Sequence, residues 1–228
     1  MKYLVIIPAR GGSKGIPNKN IIDLGGKPLI SYTVKEALSL FSSEDICVST
    51  DDNKIMSVVT SLGLQIPFSR PASLATDTAS SRDVLVHAIN HYQDLGNHYD
   101  AIILLQPTSP FRTSKHIKDA ISIYESSNDI DMVVSVKESK SNPYFNLFEE
   151  DENLSLKKSK HSSVTRRQDV PTVYEYNGAI YIIKVDSLLS RNDLNFSTIK
   201  KYVMSDEDSY DIDTPLDLQI SRFLIQER

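Results

Sequence analysis

A cationic glycine turn near the start of this 228-residue chain carries the side chains best suited to chemistry. Ala9-Arg10-Gly11-Gly12-Ser13-Lys14-Gly15 is followed at short distance by Lys19-Asn20. Clustered backbone amides and fixed positive charge both favour an anion, and a polyphosphate offers enough charge to engage them all. Glycines at 11, 12 and 15 let the backbone come close to such a ligand. The spacing is neither the G-x-x-x-x-G-K-[ST] of a P-loop nor the G-x-G-x-x-G of a dinucleotide site, and a Gly-rich surface turn with solvated lysines would also read this way. A second constellation lies near the other end, in Asp211-Ile212-Asp213-Thr214-Pro215. On an extended segment residues i and i+2 face one side, so Asp211 and Asp213 can share a cation. Mg²⁺ needs only one or two protein carboxylates when phosphate oxygens complete its shell. Taken alone, the same pattern fits a helix cap through Asp213 or Thr214.

Three more segments have types and spacing that matter. Arg70 precedes a Ser/Thr-rich stretch, with Ala79, Ser80 and Ser81 at its end; on its own terms the stretch is a helix start capped by Ser80 or Ser81. Gln106-Pro107-Thr108-Ser109-Pro110-Phe111-Arg112 follows an apolar run, and its prolines stiffen what is either a ligand loop or a rigid connection capped by Thr113 or Ser114. Arg166-Arg167 is either a solvated charge run or a fork for a carboxylate, and Asn177 and Tyr181 follow it. Histidine offers little: His87 and His91 have helical spacing but lack the glutamate of H-E-x-x-H, and His98, His116 and His161 read as surface residues. There is no G-x-S-x-G elbow.

These side chains need elements to hold them. Residues 3–7 are continuously apolar, as in a strand buried on both faces. Helical spacing follows over 29–40, a strand over 45–49, and a helix from Asp51-Asp52 to about residue 62, with the acids placed for the helix dipole. A short strand is expected at 64–67, a helix at 81–95, a fully apolar strand at 101–105, a helix at 114–124 and a strand at 131–136. Such alternation predicts a largely parallel sheet covered on both faces, with ligands at the carboxyl edge of its strands. The rhythm lapses over 137–175, where Phe145, Leu147, Leu154 and Leu156 suggest hairpin strands with one apolar face that needs a partner. It resumes at 179–185 and 201–204 and ends in a helix from about 215 to 225.

Composition sets the bounds. Forty per cent hydrophobic and 24% charged residues suit a globular α/β chain of one domain. A net charge of −5 argues against broad nucleic-acid or acidic-membrane binding. The lone Cys47 sits in an apolar run and reads as core. The first apolar run is too short for a signal peptide and no stretch approaches a membrane span, so the expected location is cytoplasmic.

The opening motif, from Ile7-Pro8 through Lys19-Asn20, resembles the signature of the acylneuraminate cytidylyltransferases, and the later segments match that family in order. The resemblance covers nearly the whole chain and is weakest over 138–175. It implies a three-layer, Rossmann-like nucleotidyltransferase sheet in a single 1–228 domain, with 138–175 as an inserted arm that embraces a second subunit. The implied reaction joins CTP to the anomeric hydroxyl of the nine-carbon acid N-acetylneuraminate and releases pyrophosphate. The implied nucleotide site comprises Ala9, Arg10, Gly11, Gly12, Ser13, Lys14, Lys19 and Asn20, with Arg70, Ala79 and Ser81 at the cytosine. Gln106, Thr108, Ser109, Arg167, Asn177 and Tyr181 fall at the sugar. Asp211 and Asp213 would hold Mg²⁺, with Mn²⁺ able to substitute, and share catalysis with Arg10 and Lys19. Two departures bear on the sugar. Asn142-Pro143-Tyr144-Phe145 stands where many members have His-Pro and then a basic residue, and Glu175 stands where some have an arginine. Legionaminic and pseudaminic acids are therefore the alternative substrates. A nucleotidylyltransferase for another nucleotide and a non-catalytic nucleotide-binding protein are the rival classes.

Overall fold

The computed structural model describes residues 1–13, 15–127, 129–164 and 166–227. In chain order, β1 (Tyr3–Pro8) leads through the glycine turn to a two-residue hairpin, β2 (Asp23–Leu24) and β3 (Lys27–Pro28). Then come α1 (Leu29–Leu38), β4 (Ile46–Ser49), α2 (Asn53–Ser61), α3 (Ser81–Asp94), β5 (Ala101–Leu104), α4 (Ser114–Glu125) and β6 (Met132–Glu138). A second hairpin, β7 (Phe148–Glu150) and β8 (Leu156–Lys158), precedes β9 (Tyr174–Lys184), α5 (Val185–Ser190), β10 (Ile199–Val203) and α6 (Pro215–Gln226).

Six strands form the main sheet in the order β10-β6-β9-β5-β1-β4. All run parallel except β9, which pairs antiparallel with both β5 and β6. The sheet is therefore the expected mostly parallel one, with one reversed strand where the chain returns from 139–173. The alternation of β1 sorts the core into two layers. Val5 and Ile7 pack with Ile30 and Val34 of α1, Val59 of α2 and Ile117 of α4. Leu4 and Ile6 face the other way, onto Leu85 and Ile89 of α3 and Leu188 of α5. Cys47 belongs to the second layer, and burial pushes its thiol up to about 12, as a core residue requires.

Several expectations change in detail. No strand forms at 64–67; only an isolated bridge joins Thr50 to Ser69, just beyond it. Asp52 acts by direct capping, accepting from the Lys54 and Ile55 amides at 2.7 and 3.1 Å. His116 is a capping residue as well, its Nδ1 accepting from the Thr113 amide at 3.2 Å. Gly25 and Gly26, at φ of +59° and +80°, make the β2–β3 connection a tight hairpin. The β7–β8 hairpin does form within 137–175, and Phe148, Leu154 and Leu156 are 48, 78 and 68% exposed on it. Among the described residues no helix is long and apolar enough to cross a membrane.

Candidate active site

β1, β4 and β5 end at one edge of the sheet, and a cavity of about 530 Å³ opens there. Arg10, Ser13, Gly15, Lys19 and Asn20 form its cationic wall. The backbone of this turn is tied down from outside: the Ala9 amide donates to Ser49 O at 2.9 Å, the Gly11 amide to Asp51 Oδ1 at 3.0 Å, and Asn20 Nδ2 to Arg10 O at 2.9 Å. A Cβ on Gly11 would sit 2.6 Å from the Asp52 carboxylate, so this glycine serves packing against the α2 cap. Gly12 meets no such neighbour, and neither it nor Ala9 and Gly11 lines the cavity. Lys14 lies outside the described residues.

Asp211 and Asp213 line the same cavity. Lys19 Nζ stands 2.8 Å from Asp213 Oδ1, an ion pair between residues 194 positions apart. Gly15 is what permits this approach, because a Cβ there would lie 2.5 Å from the Asp213 carbonyl oxygen. A small apolar cluster sets the meeting point: Ile16 of the turn packs with Leu24, Leu29, Ile212 and Leu218. Ile212 is fully buried, so its two neighbours are turned the opposite way, toward the cavity. The Ile212 amide also donates to Thr108 O at 2.9 Å. The helix-cap role belongs to Thr214, whose side chain exchanges hydrogen bonds with Asp217 across the first turn of α6. Asp213 is left facing the cavity.

Burial raises the Asp211 carboxyl above its usual range, and the nearby Asp213 charge adds to the shift, while the Thr108 hydroxyl and Lys19 oppose it. A divalent cation would relieve both unfavourable effects. Among the described residues no group of three or more His, Cys, Asp or Glu is arranged as a metal cage. Two carboxylates beside a cationic wall nonetheless fit Mg²⁺, which can take its remaining oxygens from phosphate and water.

The other wall combines α3 with the segment before it. Ala79 and Ser81 line the cavity, together with Leu74, Thr76 and Asp77. Ser80 caps α3 by accepting from the Asp83 amide at 3.1 Å. Asp77 escaped the sequence reading: its carboxylate pairs with the Arg10 guanidinium at 2.7 Å, so loop and wall are linked. Arg70 lines the cavity but is only 5% exposed, and its guanidinium donates to Ser49 Oγ at 3.0 Å and Ser49 O at 2.5 Å.

A second cavity, about 450 Å³, adjoins the first; Gln106 and Asp211 line both. Asn177, Gly178 and Tyr181 bring β9 to it. Their placement comes from a bulge, where register jumps from Val134–Tyr181 to Val136–Tyr176. Ser135 Oγ stitches the bulge, donating to Asn177 Oδ1 at 2.6 Å and accepting from the Ile180 amide at 2.7 Å. Asn177 is 4% exposed and donates to Ser209 Oγ at 2.9 Å, so it holds the bulge as much as it lines the wall. Gly178, at φ +74°, lets the backbone pass the Gln106 carboxamide, which a Cβ would meet at 2.7 Å. Thr108 lines the first cavity, whereas Ser109 is fully buried with its hydroxyl 3.5 Å from Asp211 Oδ1. Behind them the buried Arg112 donates to Ala179 O at 2.7 Å, Gln106 O at 3.2 Å and Thr33 Oγ1 at 2.6 Å; burial lowers its guanidinium to about 9. Arg167 is not brought to this cavity. It lines a separate cleft with Asn142 and Pro171, and its guanidinium donates to Lys140 O at 3.1 Å.

A mostly parallel sheet whose carboxyl edge carries a cationic turn facing two carboxylates defines an α/β protein of the nucleotidyltransferase fold. The chain belongs to the cytidylyltransferase family: the family model described as Cytidylyltransferase matches residues 4–227. It is 38% identical over 216 residues to the N-acylneuraminate cytidylyltransferase of Streptococcus agalactiae serotype V, covering 94% of this chain and 51% of that relative. The chain thus spans about half the length of that relative. It is 36% identical over 228 residues to the CMP-N,N'-diacetyllegionaminic acid synthase of Campylobacter jejuni subsp. jejuni serotype O:2, covering 98% and 95% of the two chains. Among solved structures, the fold matches CMP:2-keto-3-deoxy-manno-octonic acid synthetase complexed with CTP, with a TM-score of 0.75 at 20% identity over 100% and 99% of the two chains.

Proposed function

We propose that the chain is a cytoplasmic N-acylneuraminate cytidylyltransferase, moving CMP from CTP to the anomeric hydroxyl of N-acetylneuraminate. The observation that carries this reading is the 2.8 Å contact between Lys19 of the glycine turn and Asp213 of the distant carboxylate pair. It brings triphosphate-binding and metal-binding chemistry to one cavity. The base and ribose would lie along Arg70, Ala79 and Ser81, and the sugar acid in the adjoining cavity at Gln106 and Tyr181. Thr108 would stand beside Gln106 on the first cavity, with the buried Ser109 behind it against Asp211.

The sugar hydroxyl attacks the α-phosphorus, its proton passes to a base, and pyrophosphate leaves along the line of attack. Arg10 and Lys19 hold the triphosphate and balance the charge that builds on the departing pyrophosphate. Ser13 and the turn amides add hydrogen bonds, while Asn20 keeps Arg10 in place through its backbone. Asp211 and Asp213 would hold Mg²⁺ (or Mn²⁺), which supplies charge neutralisation and orientation of phosphate oxygens when bound. One carboxylate of that pair would accept the proton.

We further propose a homodimer in which the 138–175 arm embraces its partner. Exposed apolar side chains on the β7–β8 hairpin and on β9 and β10 (Tyr174, Tyr176, Ile199 and Val203) support it. The likeness to the legionaminate relative favours one alternative, a CMP-legionaminate synthase, with pseudaminate as the other acid to compare. The test is pyrophosphate release from CTP and Mg²⁺ with each acid in parallel, alongside thermal stabilisation by CTP, UTP, GTP and ATP. Turnover only with CTP, and greatest with N-acetylneuraminate, is the expected result. Preference for legionaminate would move the assignment to the alternative, and stabilisation by another nucleotide instead of CTP would reject it.

A further inference from the structure

The second cavity must accept an acid, yet its charged lining is mostly negative: Glu175, Asp211 and Asp217. Lys137 is the one cation among its described lining residues. It lies on β6 directly opposite Glu175 of β9, just outside the bulge that carries Asn177 and Gly178. Its ammonium stands 3.1 Å from Glu175 Oε1, and the other Glu175 oxygen accepts from Ser139 Oγ at 3.2 Å. The carboxylate is therefore held from two sides, and the lysine side chain remains 31% exposed. An ammonium has three donors on a flexible stem, so it can keep Glu175 and still reach a ligand. Asp217 is already engaged by the Thr214 and Asp213 amides at the start of α6, and Asp211 faces the phosphate cavity. Within one chain Arg167 opens onto a different cleft.

We propose that Lys137 receives the carboxylate of the incoming sugar acid and that Glu175, braced by Ser139, positions it; this rests on the cytidylyl-transfer reading above. The pair makes Lys137 a specificity-determining residue for acids over neutral sugars. Glu175 sets the direction from which the ammonium meets the ligand.

The experiment measures pyrophosphate release by the full chain with saturating CTP and Mg²⁺, varying the acid that the wild type uses best. Lys137→Gln should raise the KM for the acid about tenfold or more, with the KM for CTP unchanged within about twofold. Lys137→Arg should recover most of the loss, and CTP-dependent thermal stabilisation of each variant reports that it is folded. A second measurement needs no variant: wild-type protein should use the free acid far better than its methyl ester, and Lys137→Gln should compress that preference. An acid KM within about twofold of wild type in folded Lys137→Gln, or an ester used as well as the acid, overturns the assignment of Lys137 alone. No turnover by the wild type with any acid overturns the cytidylyl-transfer reading as well.

Discussion

Lys19 has two roles that one charge makes compatible: it neutralises Asp213 at 2.8 Å and stands in the wall that would receive the triphosphate. Such a residue matters most when negative charge increases nearby, so under the proposed reaction its contribution would belong to the transition state. Gly15 allows the arrangement by omission. Gly15→Ala would push its new methyl against the Asp213 carbonyl. The expected outcome is a loss of roughly tenfold to a hundredfold in kcat/KM with little change in thermal midpoint, since the turn is displaced and the core is not. Steady-state kinetics beside a melting curve checks this. Arg10→Ala should cost roughly 10² to 10³ in kcat, because a cation beside developing charge is lost while CTP still finds Lys19 and the amides. The turn, Asp211 and Asp213, which meet at one cavity, were legible as candidates in the sequence, since such candidacy depends on local type and spacing. Asp77 and Lys137 were not. An isolated acid in a Thr-rich stretch and a lysine at a strand's end acquire meaning only from what lies across the cavity from them.

At the scale of elements, β9 decides the shape of the second cavity, the proposed sugar side. Its bulge depends on Ser135, a small polar residue in an otherwise apolar strand, and a periodicity reading assigns such a residue no special function. Strand and helix existence was largely legible, because long apolar runs and 3.6-residue stripes are local signals. The 64–67 stretch forms no strand and leaves only the Thr50–Ser69 bridge beyond it, and the outward extension of β9 to Tyr174 was missed because Asn177 and Gly178 interrupt it before the apolar run from Ala179. The connection between β6, α5 and β10 turns on Asp131, whose oxygens accept from Ser187 Oγ at 2.6 Å and Thr198 Oγ1 at 2.7 Å. These hydroxyl bonds, Ser187 first, hold its carboxyl well below the usual carboxylate range. With the folded value depressed, the stabilisation is full above the unfolded value near 3.9 and is lost progressively as pH falls from there through the lower folded value. Asp131→Asn should therefore lower stability at neutral pH, by at most about 1 kcal/mol because solvent screens this largely exposed group, and flatten the acid limb of the profile. Urea unfolding at several pH values measures both.

The whole molecule shows how distant segments come to act together. The cluster of Ile16, Leu24, Leu29, Ile212 and Leu218 lies beneath both the glycine turn and the carboxylate pair, so apolar packing fixes the geometry that charge then uses. The 139–173 excursion does the opposite, leaving apolar side chains uncovered at Phe148 and Leu156. Phe148→Glu combined with Leu156→Glu should shift the mass in light scattering from dimer to monomer, and an unchanged mass would remove the arm from the proposed interface. The central claim, that turn and carboxylate pair grip one CTP with its metal, is tested most directly by Asp213→Ala assayed for Mg²⁺-dependent pyrophosphate release from CTP and the sugar acid. Turnover should fall by at least about a hundredfold while the melting temperature holds, because Asp213 is exposed and outside the apolar cluster. Near-normal turnover in the folded variant would contradict the claim.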